Sequence, residues 1–265
     1  MKKTLFIALA AAILLAFAGF RLASIHGKNR IVKVLFIGNS LTSVNNLPGM
    51  VADIAKSHGY KMIYDAYTPG GARLAQHAAD AKVLEKLREQ PWDFVVLQEQ
   101  SQFPGFSHKQ LSTAVFPYAK RLAEAAKEAH RHTSVVFYMA MARRNGDPAN
   151  KHVSSELLTY EGMQKRVNRC YLEMAKDNRG LIAPVGEVWM TMRKHNPDLN
   201  LYSDDIHPNK TGTYLAACVF YATFFRSPST GSLAPREVNR ATAQSLQKVV
   251  DRIVLRAEGR WDWRK

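Results

Sequence analysis

The stretch Ile31–Thr42 reads IVKVLFIGNSLT. Its middle, VLFI, is apolar at consecutive positions. A strand with one face in water would alternate, so this one is expected to be buried on both faces, as strands of parallel sheets are. Gly38 then frees the backbone for a sharp exit, and Ser40 would project its hydroxyl at the strand's end. Gly-Asn-Ser taken alone is an ordinary turn composition.

Outward from this point the chain alternates. Residues 61–67 (KMIYDAY) read as a second strand that ends at Pro69-Gly70-Gly71, and residues 94–97 (FVVL) as a third, again apolar throughout. Residues 134–139 and 181–185 complete a set of five. Between and after them, helical periodicity runs over about 47–58, 73–89, 109–131, 156–176, 209–225 and 236–257. Strand-then-helix alternation predicts the α/β class: a three-layer α/β/α sandwich around a central, mostly parallel five-stranded sheet. In such a sheet ligands bind beyond the C-terminal ends of the strands, so informative residues should follow strands directly.

The 265 residues suffice for one sizeable domain, expected over residues 30–265. Ahead of it, residues 1–20 have the form of a targeting segment. Lys2 and Lys3 precede the uncharged apolar run Thr4–Phe20, and Ala16-Phe17-Ala18 offers small residues for cleavage after Ala18. An uncleaved membrane anchor is the rival reading, since about 17–25 apolar residues span a bilayer. Either way the protein is expected to be exported, to the periplasm or the extracellular space. The formal charge of +15 allows proximity to anionic surfaces, with a solvated basic surface as the favoured reading. The basic residues are scattered and no DNA or RNA motif is present, so no specific nucleic-acid partner is expected. Cys170 and Cys218 sit in apolar surroundings and read as small core residues, with a disulfide left open; a zinc site is not expected from two cysteines so spaced.

Near the other end of the chain comes Ser203-Asp204-Asp205-Ile206-His207-Pro208-Asn209. An Asp three residues before a His can curl to hold the imidazole Nδ1–H, which leaves Nε2 to accept a proton. Asp205 competes for that role, and the three-residue spacing favours Asp204. Asn209 suits the N-cap of the helix that follows. An active serine needs a base, and the base an orienting group; Ser40, His207 and Asp204 supply one of each.

The ordered set GNSLT, GG, LQEQS and DDIHPN resembles the SGNH/GDSL hydrolases, and more closely a bacterial subgroup with Leu97-Gln98-Glu99-Gln100-Ser101 after the third strand. The similarity runs from about Ile31 to Phe225. It implies a flavodoxin-like fold and a serine esterase that needs no metal or organic cofactor. Ser40 matches the family's nucleophile, whose N–H is one oxyanion-hole donor. Gly71 matches the glycine that supplies a second donor, with Gly70 as the alternative alignment. His207 matches the base and Asp204 its partner. One departure concerns the third donor: where the family has an Asn, Gln100 aligns here, with the same amide on a longer stem. The competing role for Gln100 is a tether of the loop Ser101–Ser107. Asn39 replaces the commoner Asp and is expected to shape the turn.

The implied substrate is a small-molecule or glycan ester, with O-acyl groups on carbohydrate as one class. Transfer to a sugar hydroxyl would use the same acyl-enzyme. A non-catalytic glycan- or envelope-binding protein on this scaffold is the reading from a different class, motivated by the altered third block. Neither the oligomeric state nor the acyl group is legible. Glu99 is expected to be buried or to anchor its loop, His77 to lie at the surface with a place facing the cleft as the alternative, and the aromatic run Gln102–Phe106 either to line the pocket or to cover the sheet edge.

Overall fold

The structure is a computed structural model and describes residues 30–256 and 259–264. The apolar run expected to direct export lies outside the described residues. Five strands form one sheet: β1 (Ile31–Ile37), β2 (Lys61–Tyr67), β3 (Phe94–Leu97), β4 (Ser134–Tyr138) and β5 (Leu181–Ala183). Their order is β2-β1-β3-β4-β5, and every pairing is parallel. The sheet is thus wholly parallel, and β3 is buried at all of its positions. Strand order reverses between β1 and β3, which makes the crevice beyond their C-terminal ends the topological switch point.

The helices cover both faces. On one side lie α2 (Leu47–Ser57), α8 (Val185–His195), α9 (Lys210–Phe225) and α10 (Arg240–Leu255). On the other lie α3 (Leu74–Ala79), α4 (Ala81–Glu89), α6 (Phe116–Ala129) and α7 (Tyr160–Asp177). The short α1 (Ser40–Ser43) and α5 (His108–Ala114) sit in connections after β1 and β3. α9 is apolar nearly all round and is buried from Gly212 to Phe225, as a helix enclosed by others must be. Its Phe220 and Phe224 meet the sheet through Phe36 edge-on at 5.6 Å and Phe94 stacked at 4.7 Å.

Three expected elements differ. The helix expected over 73–89 is two helices. Asp80 leaves helical geometry (φ −90°, ψ 118°) and its carboxylate caps α4 by accepting the Lys82 N–H at 2.9 Å. The helix expected over 109–131 is likewise broken at Val115, ahead of Pro117 in the first turn of α6. The third difference is α8. Pro184, which has no N–H to give a ladder, ends β5 early, and Val185, Val188, Trp189 and Met192 then bury one helical face. Cys170 and Cys218 are buried and unbonded. Among the described residues no helix is long and apolar enough to cross a membrane.

Candidate active site

The crevice is built from two separately supported pieces. The first is the turn that follows β1. Gly38 has no room for a side chain: a Cβ there would lie 2.6 Å from both Gln98 Oε1 and Thr42 Oγ1. The Gly38 N–H donates to the Tyr67 carbonyl at 3.2 Å, and its carbonyl accepts from His77 Nε2 at 2.8 Å. Gln98, the polar residue that closes the apolar strand β3, is fully buried. Its Oε1 accepts the Asn39 N–H and the Thr42 hydroxyl, both at 2.9 Å, while its amide donates to the Glu99 carbonyl. Asn39, 2% exposed, caps α1 by accepting the Leu41 N–H at 3.1 Å and donates to the Ala72 carbonyl at 2.9 Å. It therefore shapes the turn and also ties it to the Gly70-Gly71 loop.

These bonds put Ser40 in the first turn of α1. There its N–H has no intrahelical acceptor and adds to the positive end of the helix. Gly71 is exposed and left-handed, at φ +68°, with open space where a Cβ would be. Glycine is needed there for its conformation and not for crowding.

The second piece is the loop from Leu201 to Asn209, which closes on itself. Tyr202 and Pro208 form an antiparallel bridge, Ser203 N–H donates to the His207 carbonyl at 2.9 Å, and Asn209 N–H donates to the Leu201 carbonyl at 3.0 Å. Asn209 caps α9 through the Gly212 N–H at 2.9 Å. Inside the loop, Asp204 Oδ1 accepts the N–H groups of Ile206 at 2.6 Å and His207 at 2.7 Å, and its Oδ2 lies 2.8 Å from His207 Nδ1. These contacts, the His207 N–H first, hold its carboxyl down to about 2. A carboxylate only accepts, so Nδ1 carries the proton and Nε2 is the acceptor. Nε2 lies 2.9 Å from Ser40 Oγ. Asp205 faces away: its carbonyl accepts the Arg144 N–H at 2.8 Å and its carboxylate the Asn145 amide at 3.1 Å.

Gln100 is turned toward its own loop. Its Oε1 accepts the Gln102 N–H at 2.9 Å, which is the tether described above, and this use of the oxygen leaves both amide hydrogens for another acceptor. Glu99 is fully buried; its carboxylate accepts the N–H groups of Gln100 at 2.7 Å and of Leu74 at 3.3 Å. Burial outweighs those contacts and pushes its pKa up to about 7. The aromatic run is pinned by Arg166, which donates to the Phe106 carbonyl at 2.9 Å, and by Arg73, whose guanidinium lies 3.7 Å from the Phe103 ring centre.

His77 is a correction: it is buried, not at the surface, and burial lowers its pKa. Gln98 is a further residue of the site that the motifs do not single out. A polar residue ending a fully apolar strand was the available signal for Gln98. Among the described residues no group of three or more His, Cys, Asp or Glu could hold a metal ion.

No family model and no curated protein matches the sequence. Solved structures do match. A DUF4886 family protein from Bacteroides uniformis superposes with a TM-score of 0.74 at 17% identity, covering 85% of this chain and 95% of its own. An SGNH hydrolase, so assigned by inference, from Slackia heliotrinireducens is 29% identical, with a TM-score of 0.58 over 73% of this chain and 99% of that one. An acetylxylan esterase from Geobacillus stearothermophilus gives a TM-score of 0.54 at 14% identity, over 73% and 94% of the two chains. With its parallel sheet, strand order and these neighbours, the chain has the SGNH/GDSL-type hydrolase fold.

Proposed function

We propose that the protein is a serine esterase that works through Ser40, His207 and Asp204. The observation that carries this reading is the unbroken line from Asp204 Oδ2 through the imidazole to Ser40 Oγ, with steps of 2.8 and 2.9 Å. Three surface residues have no need of that alignment. A nucleophile, a base and an orienting carboxylate do.

His207 Nε2 takes the Ser40 proton as Oγ bonds to the ester carbonyl carbon. The carbonyl oxygen gains the electron pair and is met by the N–H groups of Ser40 and Gly71 and by the Gln100 amide. The C–O bond to the alcohol then breaks, and the imidazolium gives its proton to the leaving oxygen. Water repeats the sequence with His207 as base, releasing the acid and restoring Ser40. Asp204 keeps Nδ1 protonated throughout. None of these steps calls on a metal or organic cofactor.

For the substrate, a short O-acyl group on carbohydrate is the class we favour. The acetylxylan esterases among the structural neighbours support it, as does the apolar leader, which we read as sending the protein to the periplasm or beyond. The test is labelling of purified protein with a fluorophosphonate, together with acetate release from acetylated xylo-oligosaccharides. Labelling that is lost in Ser40→Ala and His207→Ala is expected. A folded wild type that is never labelled would instead favour the glycan-binding reading. Release of acetate to water, rather than its transfer to an added polyol, separates esterase from acyltransferase.

A further inference from the structure

We propose that Asn45 is a positioning residue that sets the separation of Ser40 and His207, a role that rests on the acyl-transfer reading above. The hydrogen bonds that anchor the two halves of the site run to different neighbours. The Ser40 turn is anchored to β3 through Gln98 and to α3 through His77. The His207 loop is anchored on its far side to the segment after β4, through Arg144 and Asn145.

Between the halves, among the described residues, side-chain hydrogen bonds run through two residues only. One bond is the Ser40–His207 contact itself. The others come from Asn45, whose Nδ2 donates to the Pro208 carbonyl at 3.1 Å and to Thr213 Oγ1 at 2.9 Å. Pro208 directly follows the imidazole residue, and Thr213 lies in the first turn of α9. One amide therefore grips the base loop where it leaves the site and the helix that carries it onward.

The backbone is arranged to deliver that amide. Asn45 (φ 55°, ψ 20°) and Asn46 (φ 53°, ψ 55°) are consecutive left-handed residues between α1 and α2. L side chains avoid this region, and asparagine tolerates it best after glycine. Asn46 is locked by capping α2 through the Gly49 N–H at 3.2 Å, where a Cβ on Gly49 would run into the Asn46 amide. A hydroxyl–imidazole bond between partly exposed groups is a poor strut, because water competes for both partners. Catalytic geometry must hold to within about 0.5 Å, and a displacement of about 1 Å can cost a factor of 10².

The experiment uses the purified full-length protein and measures turnover of p-nitrophenyl acetate, fluorophosphonate labelling rate and melting temperature. The variants are Asn45→Gly, which permits the left-handed turn without the amide; Asn45→Asp, which keeps shape but has no donor; and Thr213→Val, which spares the Pro208 bond. Both Asn45 variants are expected to lose about 10- to 100-fold in kcat and in labelling rate, with KM within about two-fold of wild type and melting little changed. Thr213→Val should lose about two- to five-fold. Asn45 variants within about two-fold of wild type would overturn the proposal. So would a loss seen only in KM, or one that matches loss of folded protein in both variants. An unlabelled, inactive wild type would overturn the acyl-transfer reading and this role with it; a labelled wild type with indifferent Asn45 variants overturns this role alone.

Discussion

The Ser40 turn and the His207 loop carry the two ends of one proton path, yet they are built in opposite ways. Around Ser40, Asn39, Thr42, His77 and Gln98 are all buried, and the bonds that tie the turn to its surroundings join residues 33 to 59 positions apart in sequence. Around His207 the bonds that orient the imidazole from Asp204 are local, spanning three residues or fewer, and the side chains are open to water: 29% exposed for His207 and 56% for Asp204. The nucleophile is thus held by the core, and the base by a small loop that could form much of its geometry alone. Buried networks are costly to leave half-satisfied, while exposed ones are cheap to break. Damage to the first region should therefore appear in stability, and damage to the second in rate.

The largest expected effect tests whether the two regions act as one. Ser40→Ala and His207→Ala should each cost about 10⁴–10⁶ in kcat, and the double variant no more than either single one, measured by ester hydrolysis. Additive losses would mean that the two residues work apart. Next comes Asp204→Asn. The side-chain oxygen can still accept the Ile206 and His207 N–H groups, so the loop survives, but an amide facing Nδ1 favours the wrong tautomer. A loss of about 10³–10⁴ in kcat at nearly unchanged stability is expected; equal losses in both would erase the contrast between the regions.

Gln100→Ala removes a tether and an amide donor together. About 10²-fold slower acylation with little change in melting is the expected result if the amide meets the oxyanion; destabilisation without a change in kcat would assign Gln100 to the loop alone. Gln98→Leu probes the buried side. It orphans the Asn39 N–H and the Thr42 hydroxyl, at about 1–3 kcal/mol each, and chemical denaturation should show the sum.

The smallest effect depends on pH and again separates the regions. The Glu99 pKa is raised to about 7 by burial, so folding is opposed by ionisation as pH climbs from about 4.5 through 7. Glu99→Gln should therefore match wild type near pH 4 and exceed it by about 2–3 kcal/mol above pH 8. Asp204 behaves in the opposite sense: its pKa is lowered to about 2, so its contribution is present above its usual value of 3.8 and is lost as pH falls through 2. Stability that fell across this range in Glu99→Gln as it does in wild type would show that Glu99 is not the group responsible.

Local pattern was enough for much of this. Consecutive apolar residues in VLFI and FVVL require burial on both faces, which implies helices on both sides and places the chemistry after the strands. The Asp204–His207 pair was legible for the same reason that it is exposed: its geometry depends on three residues of chain. What only the tertiary structure decided are the relations between distant segments. The strand order set β1 beside β3 and so placed Gln98 under the Ser40 turn. The depth of the core buried His77 against Gly38, although its helix reads as a surface one. The breaks at Asp80 and Val115 fall inside an uninterrupted helical periodicity, because hydrophobic spacing reports a face and not the backbone angle of one residue. Asn45 shows this most clearly, since its composition says turn, and its partners lie more than 160 residues away. A contact across that separation is set by how helices pack on the sheet, and no spacing along the chain encodes it.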